Sequence, residues 1–221
     1  MSRPEDVAAA VRALDELTRR LRVECPWDRE QDERSIVPHT VEEAYELADA
    51  AHSGDDAKLL DELGDVLFQV YFLSLLLEER GAGDLAAVAT ATREKLVRRH
   101  PHVFGEEGLA GLPTEATTPS EVKQNWDAIK LREHDGGEVA EALPALVYAR
   151  KRLKRAGAPA PALADAVARV DRVRQSEEAG SHHGSAELYE AVGELLLAVV
   201  GLAREVHVDP EIALRRVAVV A

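Results

Sequence analysis

Leu59-Leu60-Asp61-Glu62-Leu63-Gly64-Asp65-Val66-Leu67-Phe68-Gln69-Val70 is the stretch on which the fold turns. Its apolar residues recur at spacings of three and four, the period of an α-helix. They cover nearly the whole circumference, which predicts a buried helix rather than a surface one. Two acids interrupt the apolar surface. Glu62 and Asp65 stand three apart and so share a face. A buried carboxylate without a partner is very costly, so these two need a counter-charge or a ligand. Gly64 between them costs about 1 kcal/mol relative to Ala in a helix interior. A close helix approach or a ligand would explain its presence.

Working outward, Val41-Glu42-Glu43-Ala44-Tyr45-Glu46 sets Glu43 and Glu46 one turn apart and Glu42 and Glu46 four apart. This second helix is predicted to open at Thr40, with Glu43 at the capping-box position, and to end near His52, before Ser53-Gly54-Asp55. If the two helices pack antiparallel across that turn, Glu43, Glu46, Glu62 and Asp65 converge. Carboxylate oxygens on rigid helices form a hard-cation site, suited to Mg²⁺ or Mn²⁺. The plainer reading of such acid pairs is a solvated helix face. It holds for most of them, but the apolar setting of Glu62 and Asp65 weakens it here. Asp49 reads as a polar rim residue.

The remaining chain is also helical in pattern. Helices are predicted over 4–22, 56–80, 84–99 and 119–133, the last opened by Thr118-Pro119-Ser120-Glu121. Cys25-Pro26-Trp27-Asp28 breaks the first pattern and reads as a loop ordered by the packing of Trp27. Asp135-Gly136-Gly137 marks a linker. Further helices follow near 143–156, 161–178 and 185–207, with a last one from Asp209-Pro210 and a flexible turn over 180–185. No segment carries a strand period. The fold class is therefore all-α, a helical bundle. A repeat divides it, because Leu188-Tyr-Glu-Ala-Val-Gly-Glu-Leu-Leu resembles the stretch that begins at Leu59. This implies two related modules, 1–135 and 143–221, joined by a linker over 136–142. In the second, Ala191 stands where Glu62 does, Glu194 where Asp65 does, and Val220 falls opposite Lys95. No Glu-Glu-x-x-Glu occurs after residue 143. The second module is expected to be degenerate, catalytically inactive and structural.

Composition narrows the partners. The 221 residues carry a formal charge of −14, which repels nucleic acid unless a basic patch is segregated. Phosphate ligands would need a metal or local cations. Cys25 is the single cysteine and can form no internal disulfide, as expected in a reducing compartment. The N-terminus shows no basic-then-apolar signal, and the apolar run from Val66 to Leu77 is too short to span a bilayer. A cytoplasmic protein without a membrane segment is expected.

Local cations do occur. Lys95, Arg98 and Arg99 end the fourth predicted helix, with Lys95 and Arg99 on one face. Trp126 and Lys130 stand four apart on the helix over 119–133. Two readings stand for each group. The basic residues are either favourable charge at a helix C-terminus or phosphate contacts. Trp126 is either a core anchor or a stacking surface for a base.

Taken in order, Cys25-Pro-Trp-Asp, Glu42-Glu-x-x-Glu46, Glu62-x-x-Asp65, Lys95-Leu-Val-Arg-Arg-His-Pro-His-Val-Phe104 and Trp126-x-x-x-Lys130 resemble the MazG family of nucleoside triphosphate pyrophosphohydrolases. The resemblance is strong over about residues 5–135 and weak beyond 143. It implies paired helical modules, a homodimer, Mg²⁺ (or Mn²⁺) held by Glu43, Glu46, Glu62 and Asp65, and Glu42 as an outer-shell acid or orienting base. It also implies Lys95, Arg98, Arg99, Trp126 and Lys130 as substrate contacts. The reaction implied is cleavage between the α and β phosphates, giving a nucleoside monophosphate and pyrophosphate, with a role in house-cleaning of the nucleotide pool. Three alternatives compete. A di-iron carboxylate bundle needs paired Glu-x-x-His elements, and Asp49-Ala-Ala-His52 is a single near approach. A His-Asp phosphohydrolase has only His134-Asp135 to cite. A helical regulator or scaffold that had lost activity would not need the full acidic set.

Overall fold

Short polar side chains start most of the helices of the first half. Asp32 accepts a hydrogen bond from the Ser35 N–H while its own N–H donates to the Ser35 hydroxyl, both at 2.9 Å. Asp55 accepts from the amides of Ala57 and Lys58, and Asp84 from that of Ala87. Each satisfies backbone donors that no helix can satisfy internally. The computed structural model describes residues 3–105, 116–133, 139–140, 142–157, 159–176 and 185–218. Among the described residues all regular structure is helical. The chain splits into two compact units, Met1–Asp135 and Gly136–Ala221.

The first unit holds α1 (Pro4–Glu24), α2 (Pro26–Glu30), α3 (Glu33–Ser53), α4 (Asp56–Glu79), α5 (Leu85–Arg99), α6 (Pro101–Phe104) and α7 (Pro119–Glu133). Two boundaries differ from expectation. The segment from Cys25 is a short helix rather than a loop, because Pro26 at its first position presets the backbone and the Cys25 carbonyl accepts from the Arg29 amide. α3 begins at Glu33, a full two turns before Thr40, because the Asp32–Ser35 capping box lies upstream. Pro38 falls inside it and removes one backbone donor. Thr40 caps nothing; its hydroxyl lies 3.3 Å from the Ile36 carbonyl and 3.2 Å from the side-chain oxygen of the buried Gln69. Gly54 closes α3 at φ 75°, where a side chain would be strained.

α3 and α4 form the main helix pair of this unit. Ile36, Phe72 and Leu76 make its buried core, with Phe68 and Leu73 packed on them. α1 is tied to the far end of α4 by ion pairs from Arg19 to Glu78 and from Arg22 to Glu79. The Tyr71 hydroxyl adds a hydrogen bond to the Val11 carbonyl. α4 is not buried all round. Leu60, Leu63, Leu67 and Val70 are exposed, and nothing lies within 4 Å of a Cβ built on Gly64. The close helix approach expected at Gly64 is thus not made within the described residues. α1, α3 and α5 pack on α4 and leave this stripe uncovered.

The second unit holds α8 (Ala145–Ala156), α9 (Leu163–Ser176), α10 (Ala186–Glu205) and α11 (Pro210–Ala218). α9 and α10 form its main pair. Leu153, Ala166, Val173, Ala191, Ala198 and Val200 are buried in it, and Gly201 admits the Ala160 side chain where any Cβ would collide. Register the repeat on Leu59 and Leu188, and the exposed stripe recurs: Tyr189, Val192, Leu196 and Val199 are exposed where Leu60, Leu63, Leu67 and Val70 are. Residues 136–138 and 141 of the predicted linker, the His134-Asp135 pair, most of the predicted turn over 180–185, and Val220 lie outside the described residues. Among the described residues no helix is long and apolar enough to cross a membrane.

Phe72 is fully buried at the centre of the first unit. Phe72→Ala is expected to cost about 3–5 kcal/mol, read as a shift of the urea midpoint at unchanged slope.

Candidate metal centre and substrate site

The turn at Ser53–Asp55 returns the chain so that α4 runs back along α3. Carboxylate oxygens of Glu43, Glu62 and Asp65 come within 4.8 Å of one another. Glu62 is buried, Glu43 half-buried and Asp65 exposed, so the cluster opens to solvent on one side. Glu62 Oε2 is buried and has no hydrogen-bond partner among the described residues. Burial, then the nearby charges of Asp65, Glu46, Glu62 and Glu42, raises the Glu43 carboxyl above its ordinary value. Burial, then Glu46, raises that of Glu62, with Lys58 opposing. A divalent cation fits this donor set. It would satisfy the orphaned oxygen and offset both the burial and the like charge that raise the Glu43 and Glu62 carboxyls. Glu43, Glu62 and Asp65 would hold it.

Glu46 lies outside that three-residue cluster, although its charge acts on both Glu43 and Glu62. Glu42 is exposed and faces His39, with Oε2 3.4 Å from Nδ1. His39 in turn meets the ring of Trp27 edge-on, centroids 6.0 Å apart. Trp27 is 52% exposed and does not order its segment by burial as expected. Arg22 does that work, donating to the Asp28 and Gln31 carbonyls.

The basic group is held together by a residue that the sequence pattern does not single out. Glu133, at the end of α7, accepts from Arg98 Nε at 3.2 Å and from Arg99 Nε at 2.8 Å. Burial pushes the Glu133 carboxyl up, but the two guanidinium groups outweigh it and hold it below its ordinary value. Arg99 is buried and lies over the Trp126 ring, 5.4 Å from its centroid. His100 meets the same ring edge-on at 4.8 Å. Trp126 is thus both a packing residue and a floor for Arg99. Lys95 and Lys130 are exposed. No local signal picks out Glu133, since a terminal helix acid reads as surface charge.

The fold and these two groups define an all-helical protein with a cluster of carboxylates gathered between paired helices. The sequence comparisons narrow that class. The MazG nucleotide pyrophosphohydrolase domain model matches residues 31–104. A nucleoside triphosphate pyrophosphohydrolase/pyrophosphatase MazG of Thermotoga maritima is 35% identical over 199 residues, covering 87% of this chain and 74% of that protein. A nucleoside triphosphate pyrophosphohydrolase of Escherichia coli K12 is 36% identical over 206 residues, covering 87% and 75%. The crystal structure of a mazG-related protein from Thermotoga maritima superposes with a TM-score of 0.44 at 24% identity, over 54% of this chain and 97% of that one. The chain belongs to the MazG nucleotide pyrophosphohydrolase family.

The raised carboxyls have a consequence for stability. An acid whose folded pKa exceeds its unfolded value favours the fold below the unfolded pKa and loses that contribution as pH rises through the folded one. Metal-free protein should therefore lose more melting temperature between pH 4.5 and neutrality than a Glu62→Gln variant does. Millimolar Mg²⁺ should restore the wild type at neutral pH and leave the variant nearly unmoved in thermal melts.

Proposed function

We propose that this chain hydrolyses nucleoside triphosphates at the α–β phosphate bond, releasing a nucleoside monophosphate and pyrophosphate. The observation that carries the reading is the convergence of Glu43, Glu62 and Asp65 around an unsatisfied buried oxygen, in a chain of this family. Relatives 35% and 36% identical carry the same activity in their names. A bound Mg²⁺, or Mn²⁺, would neutralise phosphate charge and lower the pKa of the attacking water. Glu43, Glu62 and Asp65 hold that ion, and Glu46 completes the set from the next turn of α3. Glu42 orients the water or the ligands from outside.

Lys95, Arg98, Arg99 and Lys130 take the phosphates and balance the charge that develops on departing pyrophosphate. Glu133 and Trp126 fix the Arg99 guanidinium, so little ordering is needed when substrate arrives. The substrates are canonical or noncanonical nucleotides, and the role is house-cleaning in the cytoplasm. Nucleic acid is not a partner, in keeping with the charge of −14.

The organisation follows the same reading. Residues 1–135 form the catalytic module, 136–142 the linker and 143–221 a degenerate copy. Ala191 is wholly buried at the place of Glu62, and Glu194, at the place of Asp65, is ion-paired to Arg169. Two copies of the chain form a homodimer through the stripe of Leu60, Leu63, Leu67 and Val70, where Gly64 leaves room for a partner.

The test is product identification with a panel of nucleoside triphosphates and Mg²⁺. Monophosphate and pyrophosphate are expected. Glu62→Gln or Asp65→Asn should lower turnover at least about 100-fold at unchanged helicity. Release of γ-phosphate alone, or near wild-type turnover in both variants, would overturn the reading.

A further inference from the structure

We infer that Trp27 is the surface on which the nucleobase stacks, with His39 beside it; this rests on the function proposed above. A base-binding residue must offer an open ring face at a short reach from the metal-held phosphates. Trp126 does so only in part, being half-buried with Arg99 over its ring and His100 at its edge. Trp27 does. More than half of its surface is in solvent, and its only ring contact among the described residues is the edge-on one with His39. Its backbone is nonetheless fixed. Pro26 starts α2, the Trp27 carbonyl accepts from the Gln31 side chain at 2.8 Å, and Arg22 ties the same segment to α1. An exposed indole on an anchored backbone is prepared to stack at small entropic cost.

Its place relative to the carboxylates follows from α3. His39 and Glu43 are four apart, so their side chains leave one helix face about 6 Å from each other. Trp27 touches the first of them, and Glu43 belongs to the carboxylate cluster. A nucleotide with its phosphates at Glu43, Glu62 and Asp65 thus has its sugar and base directed along α3 towards His39 and Trp27. His39 offers a ring nitrogen to a base edge, the other being 3.4 Å from Glu42. Stacking on an indole face tolerates every base, so this surface supplies affinity and leaves discrimination to His39.

The test uses the full chain with Mg²⁺, comparing KM for nucleoside triphosphates with the inhibition constant of inorganic tripolyphosphate, which has no base. Trp27→Ala is expected to raise KM about 10- to 100-fold, with kcat within about threefold and tripolyphosphate inhibition unchanged. Trp27→Phe should restore most of the loss, which a purely structural role would not require. Unchanged KM in Trp27→Ala, or a parallel weakening of tripolyphosphate, would overturn the inference while leaving the pyrophosphohydrolase reading intact. A wild-type chain that turned over no nucleotide would remove both.

Discussion

Mutual repulsion among three carboxylates is the constraint around which the first unit is built. Glu43, Glu62 and Asp65 bring their oxygens within 4.8 Å of one another, one of them buried without a partner. A fold gains nothing from such an arrangement in itself, since burial and neighbouring negative charge raise the Glu43 and Glu62 carboxyls and oppose folding at neutral pH. It persists because rigid neighbours hold it. α3 and α4 are locked by the Ile36–Phe72–Leu76 core, and α4 is pinned at its other end by Arg19 and Arg22. The acids sit at the end of the pair nearer the Ser53–Asp55 turn, and the apolar core lies beyond them. Stability and chemistry are thus separated along one helix.

The second unit shows what the same framework becomes without that constraint. Where Glu62 would stand, Ala191 is buried, and Glu194 is neutralised by Arg169. The carboxylate problem is gone, and the α9–α10 pair closes on small residues instead. What the two units retain in common is the exposed apolar stripe, at matching positions of α4 and α10.

Much of this was legible in the residues. The helical period, the cap at Thr118, and the pairing of Glu43 with Glu62 and Asp65 are local or nearly local properties. The start of α3 is not legible in the same way, because Thr40 and Glu43 imitate a capping box, while the true box lies at Asp32 and Ser35 ahead of an internal proline. The near-complete apolar coverage of α4 predicted full burial, but periodicity cannot tell a stripe covered by the same chain from one left for another surface. The clamp of Glu133 on Arg98 and Arg99, and the exposure of Trp27, depend on how distant segments meet, which no spacing rule encodes.

The central claim is that α3 and α4 jointly hold a divalent cation. Anomalous scattering at the manganese edge, from crystals of the full chain grown with Mn²⁺, addresses it without reference to turnover. A single strong peak in the first unit, bonded to oxygens of Glu43, Glu62 and Asp65 at about 2.0–2.3 Å, is the predicted result. No peak at those side chains, or a stronger one elsewhere on the acidic surface, would contradict the account.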